Sequence, residues 1–291
     1  MIIVRILGGL GNQMFQYSFY KYLNNKYKNV KIDLSEFKDY DLHNGFELDK
    51  IFNLEYDLAS DNDIKKVKDK SYIKKNILSK LRRKIFGKRR THIFEENFSE
   101  KLFEENKDYY LSGYWETIKY INKIETIIRD VFKFKNNLKG MNYKISKKIK
   151  NDKNSVSVHI RRGDFVNNKM TYNNRYGICD LNYYKESETV VERNINNPKY
   201  YVFSDDIEWV KNNIQFKNKI IFVDWNNGEK SYKDMQLMSL CRHNIIANSS
   251  FSWWGAWLNN NENKIVISPN RWFNNRKKTN LLPDRWIKIS V

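Results

Sequence analysis

Ser155-Val156-Ser157-Val158-His159-Ile160-Arg161-Arg162-Gly163-Asp164-Phe165 runs a strand pattern straight into two guanidiniums and a glycine turn. Val156, Val158 and Ile160 alternate with Ser157 and His159, and this period of two predicts a β-strand. The strand delivers Arg161 and Arg162 at its carboxyl end, and Gly163 permits the turn that follows. Two planar guanidiniums on a rigid strand make a fork of fixed donors suited to phosphate oxygens. The plainer reading is a solvated arginine pair with Asp164 as a local counter-ion. The buried-type strand beneath the pair, and further sites of the same kind downstream, favour the anion site.

Working outward toward the C-terminus, strand and helix patterns alternate. A helix is predicted over 181–196, then a strand over 200–203 ending in Ser204-Asp205-Asp206. Those two carboxylates read either as a cap for a helix over 207–213 or as a metal-binding pair. A strand over 219–223 ends at Asp224-Trp225, and a helix over 232–242 leads to a strand over 244–247. That strand ends in Asn248-Ser249-Ser250-Phe251-Ser252, whose hydroxyls and free N–H groups open a helix through Trp253, Trp254 and Trp257. Such a turn is either an anion site or simple capping. A strand over 264–268 and a Trp-rich tail close the chain. Repeated strand–helix alternation predicts a parallel sheet covered by helices, and ligands bind such sheets beyond the carboxyl ends of their strands. Arg161, Asp205, Trp225 and Ser249 all fall at those ends. Asp234, near the start of a helix, reads either as a first-turn cap or as an acceptor for two donors on one edge of guanine.

Toward the N-terminus, a strand over 2–7, the turn Gly8-Gly9-Leu10-Gly11-Asn12, a helix over 13–25 and a strand over 30–34 make a βαβ unit. Gly9 and Gly11 match half of a dinucleotide fingerprint with Asp33 as its acidic residue, but Met14 stands where the third glycine belongs. A nicotinamide or flavin protein is therefore a weak rival. Trp115, in an aromatic stretch that begins at Tyr109, reads as a sugar platform or a core aromatic. The stretch from Lys74 to Arg90 is basic with an apolar stripe, and it suits either an anionic membrane surface or an ordinary surface helix. The polar stretch 136–154 marks a domain boundary, giving domains 1–145 and 146–291.

Lys+Arg 53 against Asp+Glu 34 gives a net charge of +19 over 291 residues. That balance attracts anions, whether nucleic acid, anionic lipid or phosphorylated small molecules. No nucleic-acid recognition motif accompanies it. The two cysteines, Cys179 and Cys241, lack metal spacing, and His43, His92, His159 and His243 show no ligand spacing. No apolar run approaches a spanning helix, so a cytoplasmic protein is expected, possible peripheral contact with the inner membrane face resting on Lys74 to Arg90.

Three stretches together resemble the bacterial α-1,2-fucosyltransferases of glycosyltransferase family 11: Gly8-Gly9-Leu10-Gly11-Asn12-Gln13-Met14-Phe15-Gln16-Tyr17, His159-Ile160-Arg161-Arg162-Gly163-Asp164, and the long block from Asp234 to Leu258. The resemblance implies an α/β fold of GT-B type, two Rossmann-like domains facing across a cleft, with the first on the acceptor side and the second binding GDP-fucose. It implies inverting transfer of L-fucose from GDP-β-L-fucose to the 2-hydroxyl of a terminal galactose in an oligosaccharide or lipid-linked glycan, with no cofactor and no required metal. On the matched motifs, Arg161 meets the β-phosphate as the catalytic stabiliser of the leaving group, and Arg162 and Asp164 support the donor. His159 and Asp234 meet the guanine. Asn248, Ser249, Ser250, Phe251 and Ser252 hold phosphate or ribose. Gly9, Gly11, Asn12 and Gln13 close over the donor from the first domain. Glu116 and Phe165 depart from the expected Gln and Tyr. No general base stands out; Asp33, His43 and Glu116 are the first-domain groups to consider.

Overall fold

The computed structural model describes residues 1–39, 43–69, 91–104, 107–163, 178–273 and 280–291. Two compact units divide between Val131 and Phe132. In the first, strands β1 (Ile2–Arg5), β2 (Val30–Asp33), β3 (His92–Phe94) and β4 (Tyr109–Ser112) form a parallel sheet in the order β2-β1-β4-β3. Helix α1 (Leu10–Asn24) follows β1 and is buried on nearly every side. Phe19 on α1 stacks on Trp115, with ring centroids 3.8 Å apart, so Trp115 is a core aromatic and offers no sugar platform.

The first long helix of the second unit is α2 (Gly140–Asn151), inside the stretch expected to hold the domain boundary. Its Asn142, Ile145, Ser146 and Ile149 recur at helical spacing on a buried face, while the lysines take the other side. Ile145 and Ile149 pack with Leu237, Met238 and Cys241 in one apolar layer. The expected division at 145/146 is therefore moved to 131/132: a Lys- and Asn-rich composition disguised an amphipathic helix that belongs to the second core.

The second sheet contains β5 (Ser155–Ile160), β6 (Lys199–Ser204), β7 (Ile220–Val223), β8 (His243–Ile245), β9 (Val266–Pro269) and β10 (Ile287–Ile289). All pair in parallel, in the order β7-β6-β5-β8-β9-β10. This is the 3-2-1-4-5-6 order of a dinucleotide-binding domain, whose strand order reverses between its first and fourth strands. Here that switch point lies between β5 and β8. Helices α3 (Leu181–Asn194), α4 (Ile207–Asn213), α5 (Tyr232–Leu240) and α6 (Ser250–Trp257) cover the sheet. Val156, Val158 and Ile160 enter one apolar layer with Tyr183, Tyr184 and Val191 of α3. Tyr201 and Phe203, on the opposite face of β6, enter the layer with α2 and α5. His159 pairs in register with Phe203, so it faces α5 and not α3.

Candidate functional site

The charged cluster at the switch point is assembled by Asp205. Arg161 Nη1 lies 2.9 Å from Asp205 Oδ2, and the backbone N–H of Arg162 donates to Asp205 Oδ1 at 2.9 Å. One carboxylate thus holds a guanidinium and the chain just after it. The glycine at 163 makes this approach possible, since a Cβ there would lie 2.7 Å from Asp205 Oδ2. Arg162 is held differently. Its guanidinium carbon sits 3.5 Å from the centroid of the Trp209 ring, and its Nε lies 3.5 Å from Asp206 Oδ2. Asp206 also accepts from Trp209 N–H as the cap of α4. The carboxylate pair therefore braces arginines and caps a helix. Among the described residues, no group of three or more His, Cys, Asp or Glu is placed to hold a metal ion.

His159 is buried, and its Nδ1 has no hydrogen-bond partner among the described residues. Burial pushes its pKa down to about 4; Asp205 opposes this shift and Arg161 adds to it. The imidazole is neutral at physiological pH. Its ring lies 5.6 Å from that of Phe251 at the start of α6. Ser249 occupies the N-cap of α6 without a side-chain capping bond, whereas the buried Ser252 donates its hydroxyl to the carbonyls of Ala247 and Ser249. Ser252 therefore closes the turn from within. Asn248 is buried and donates to the Trp272 carbonyl at 3.5 Å, and Ser250 begins the helix.

Asp234 lies in the first turn of α5 and accepts a 2.7 Å hydrogen bond from Asn226 Nδ2. It keeps partial solvent access, yet burial pushes its carboxyl up to about 7 against the lowering effect of Asn226. Trp225, in the loop after β7, joins the same apolar layer as Phe251.

In the first unit the glycine turn also sits where a parallel sheet reverses its order, between β1 and β4. A Cβ on Gly8, whose φ is +94°, would come within 3.1 Å of Asn12 Nδ2 and 3.5 Å of the Tyr114 ring. Gly9 caps α1 and Gly11 lies in its first turn. Gln13 is fully buried. Its Nε2 donates to the carbonyls of Gly8 (2.7 Å) and Gly45 (2.8 Å), and its Oε1 accepts from Glu47 N–H (2.9 Å). Gln16 exchanges two further bonds with the backbone of Leu7. Gln13, expected to face the donor, is a brace for the loop. Asp33 is likewise engaged, accepting from Tyr110 Oη (2.6 Å) and Ser35 N–H (2.8 Å). Glu116 is buried and His43 is exposed against Gly9. Asp164, Phe165 and the stretch from Lys74 to Arg90 lie outside the described residues.

A model of glycosyl transferase family 11 matches residues 1–290. The chain belongs to that family. It is a glycosyltransferase. This family 11 chain is 36% identical to the alpha-1,2-colitosyltransferase of Escherichia coli over 99% of both chains. It is 35% identical to the O-antigen biosynthesis glycosyltransferase WbnK of Escherichia coli over 97% of this chain and 98% of that protein. A shorter stretch, 35% of this chain and 28% of the relative, is 29% identical to galactoside alpha-(1,2)-fucosyltransferase 1 of Lagothrix lagotricha. In fold it is similar to the fucosyltransferase NodZ from Bradyrhizobium, with a TM-score of 0.51 and 13% identity over 87% of this chain and 90% of that one. It is equally similar to Arabidopsis thaliana FUT1 in complex with GDP, with a TM-score of 0.51 and 9% identity over 93% of this chain and 70% of that one. The GT-B class expected from the sequence is the fold found: α/β, with two Rossmann-like units.

Four residues of the candidate site escaped the sequence reading in their present roles. Asp205 and Trp209 looked like parts of a local cap and helix, while Asn142 and Asn226 carried no motif. The strand-end position of Asp205 was its one signal; its hold on Arg161 and its close approach to Gly163 need the neighbouring strand to be seen. Among the described residues no helix is long and apolar enough to cross a membrane.

Proposed function

We propose that this family 11 glycosyltransferase transfers L-fucose from GDP-β-L-fucose, with inversion, to the 2-hydroxyl of a terminal galactose. The acceptor is an oligosaccharide or lipid-linked glycan destined for a surface polysaccharide. The observation that carries this reading is Arg161, fixed by Asp205 at the switch point of the second sheet, beside a neutral His159 and the open turn at Ser249. As the fucosyl group departs, positive charge develops on the sugar and negative charge grows on GDP. Fixed donors aimed at that charge lower the barrier without reorganising during the reaction. Arg161 stabilises the β-phosphate. Ser249, Ser250 and the N-terminal end of α6 receive phosphate or ribose, and Asn248 supports the turn. Arg162, held on Trp209, fixes the chain that carries Arg161, with Asp164 following it. His159, Phe251 and Asp234 form the guanine side. The first unit, with Gly9, Gly11 and Asn12 on its braced loop, serves the acceptor. The positive charge that the leaving group needs is supplied by side chains and a helix terminus, so no metal or cofactor is invoked. The basic stretch from Lys74 to Arg90 is assigned to peripheral contact with anionic membrane on the cytoplasmic face.

The test is incubation with GDP-fucose, lactose and EDTA, followed by mass spectrometry. Formation of GDP and 2′-fucosyllactose is expected. Fucose transfer that requires added divalent metal would overturn the metal-free mechanism, and absence of GDP release with every β-galactoside tried would overturn the donor. A second reading is transfer of a colitosyl group, favoured by the 36% identity to a colitosyltransferase. Parallel reactions with GDP-colitose separate the two by kcat/KM.

A further inference from the structure

The loop after β7 contains a closed set of amide contacts whose one outlet is Asp234. Asn142, on the buried face of α2, and Asn226 exchange hydrogen bonds: Asn142 Nδ2 donates to Asn226 Oδ1 at 2.7 Å, and Asn226 Nδ2 donates to Asn142 Oδ1 at 2.8 Å. Asn142 Oδ1 also accepts from Trp225 Nε1 at 2.8 Å. The second hydrogen of Asn226 Nδ2 goes to Asp234 Oδ1 at 2.7 Å. Both asparagines are buried, at 6% and 5% exposure, so these bonds meet little competition from water. Docking α2 to the sheet explains why Asn142 and Trp225 meet. It does not explain why the chain ends on a single oxygen of a carboxylate in the first turn of α5. Among the described residues, Asp234 Oδ2 makes no hydrogen bond.

We propose that the Asn142–Asn226 amide pair is a specificity-determining device that fixes the plane of the Asp234 carboxyl, so that the site selects a nucleobase presenting two adjacent donors. The inference rests on the reading above that Asp234 faces the base. A carboxylate offers about four lone-pair positions. Asn226 occupies one on Oδ1, which leaves another on Oδ1 and those on Oδ2 for a paired contact. Guanine presents N1–H and N2–H side by side, hypoxanthine presents N1–H alone, and adenine presents an acceptor at N1. A carboxyl with its plane fixed rewards both donors of guanine together. One free to rotate follows whichever donor is present and discriminates less. Asn142 and Asn226 are positioning residues, acting through Asp234.

The experiment is calorimetric titration of GDP and IDP into the full chain at fixed pH. The wild type is expected to favour GDP over IDP by about thirtyfold, the worth of one hydrogen bond to a charged acceptor. Asn142→Ala is expected to bring that ratio below about fivefold. Trp225→Phe keeps an aromatic ring and removes one donor to Asn142. It is expected to reduce the ratio by a factor of about three, and it supplies the test if Asn142→Ala does not fold. In an Asp234→Asn background, removing Asn142 should change the ratio no further. A variant that binds GDP and IDP equally more weakly, at an unchanged ratio, would overturn the inference and leave the amides a purely structural role. Asp234→Asn with an unchanged ratio would overturn the underlying reading of Asp234 as the base contact.

Discussion

The two sheets place their key loops at equivalent points and use them in opposite ways. At the reversal in the first sheet, between β1 and β4, the polar side chains near the glycine turn are directed inward. Gln13 and Gln16 are buried, and both ends of each amide bond to backbone. What the loop leaves half-exposed is the backbone of Gly9 and the side chain of Asn12. At the reversal in the second sheet, between β5 and β8, the braces are themselves charged. Asp205 and Asp206 hold Arg161 and Arg162 in place, and His159 is left buried, neutral and, among the described residues, with Nδ1 unpartnered. What this edge presents is charge and side-chain hydrogen bonding. On the proposed reaction the difference has a use: a diphosphate leaving group would be met by the fixed positive charge of the second edge.

The comparison breaks most visibly at Arg161. Arg161→Ala should reduce kcat for transfer by about a hundredfold or more, roughly 3 kcal/mol of lost leaving-group stabilisation, while the far-UV circular dichroism stays native. Near-normal turnover would remove the second edge from the chemistry. Gln13→Ala tests the opposite character of the first edge. It removes the bonds to Gly8 O and Gly45 O and the one from Glu47 N–H, and should lower unfolding stability by about 3 kcal/mol in urea titration. Its effect on kcat should be well below that of Arg161→Ala. An unchanged stability would mean that Gln13 is not the brace described.

Asp205→Asn sharpens the contrast. The amide oxygen still accepts from Arg162 N–H, but the ion pair with Arg161 is lost. The expected result is a fall of about thirtyfold in kcat, roughly 2 kcal/mol, with KM for GDP-fucose changed far less. Equal losses in binding and turnover would make Asp205 a ligand of the donor and not a positioning residue. The smallest effect concerns pH. Asp234, raised to about 7 by burial, holds more protons in the folded protein than in the unfolded chain between pH 4 and 7. Its contribution to stability therefore falls as pH rises through that window. Donors on a base favour the ionised form, so affinity for GDP-fucose should rise about tenfold between pH 6 and 8, following the ionised fraction. His159, lowered to about 4, stays neutral throughout that range and adds no slope. GDP-fucose is the right ligand because its diphosphate is esterified at both ends. A flat profile, or one unchanged in Asp234→Asn, would count against the assignment.

Much of this was legible in the residues themselves, for physical reasons that differ from place to place. Strand β5 could be read because its apolar residues alternate and its boundaries are marked by charge and glycine. The helix over 207–213 could be read because Asp206 caps it locally. Helix α2 was hidden, since half of its surface is lysine and its buried positions include Asn142 and Ser146. Strand β10 was hidden by its shortness and by its place at the sheet edge, with Ile287 and Lys288 exposed. The site divides in the same way. Arg161 and His159 lie on a strand whose end was visible, so their position followed from the pattern. The pairing of Arg161 with Asp205 joins neighbouring strands through a loop and a helix, and no local spacing encodes it. Gln13 was misjudged because a glutamine beside a glycine turn looks the same whether it faces a ligand or grips the backbone.

On the proposed reading, the second sheet's reversal holds the nucleotide end of the donor. Hydrogen exchange of the full chain with and without GDP tests it directly. The predicted result is protection of the backbone at residues 159–163, 226–234 and 248–252, lost in Arg161→Ala. Protection absent from those three segments in a protein that binds GDP would contradict the account.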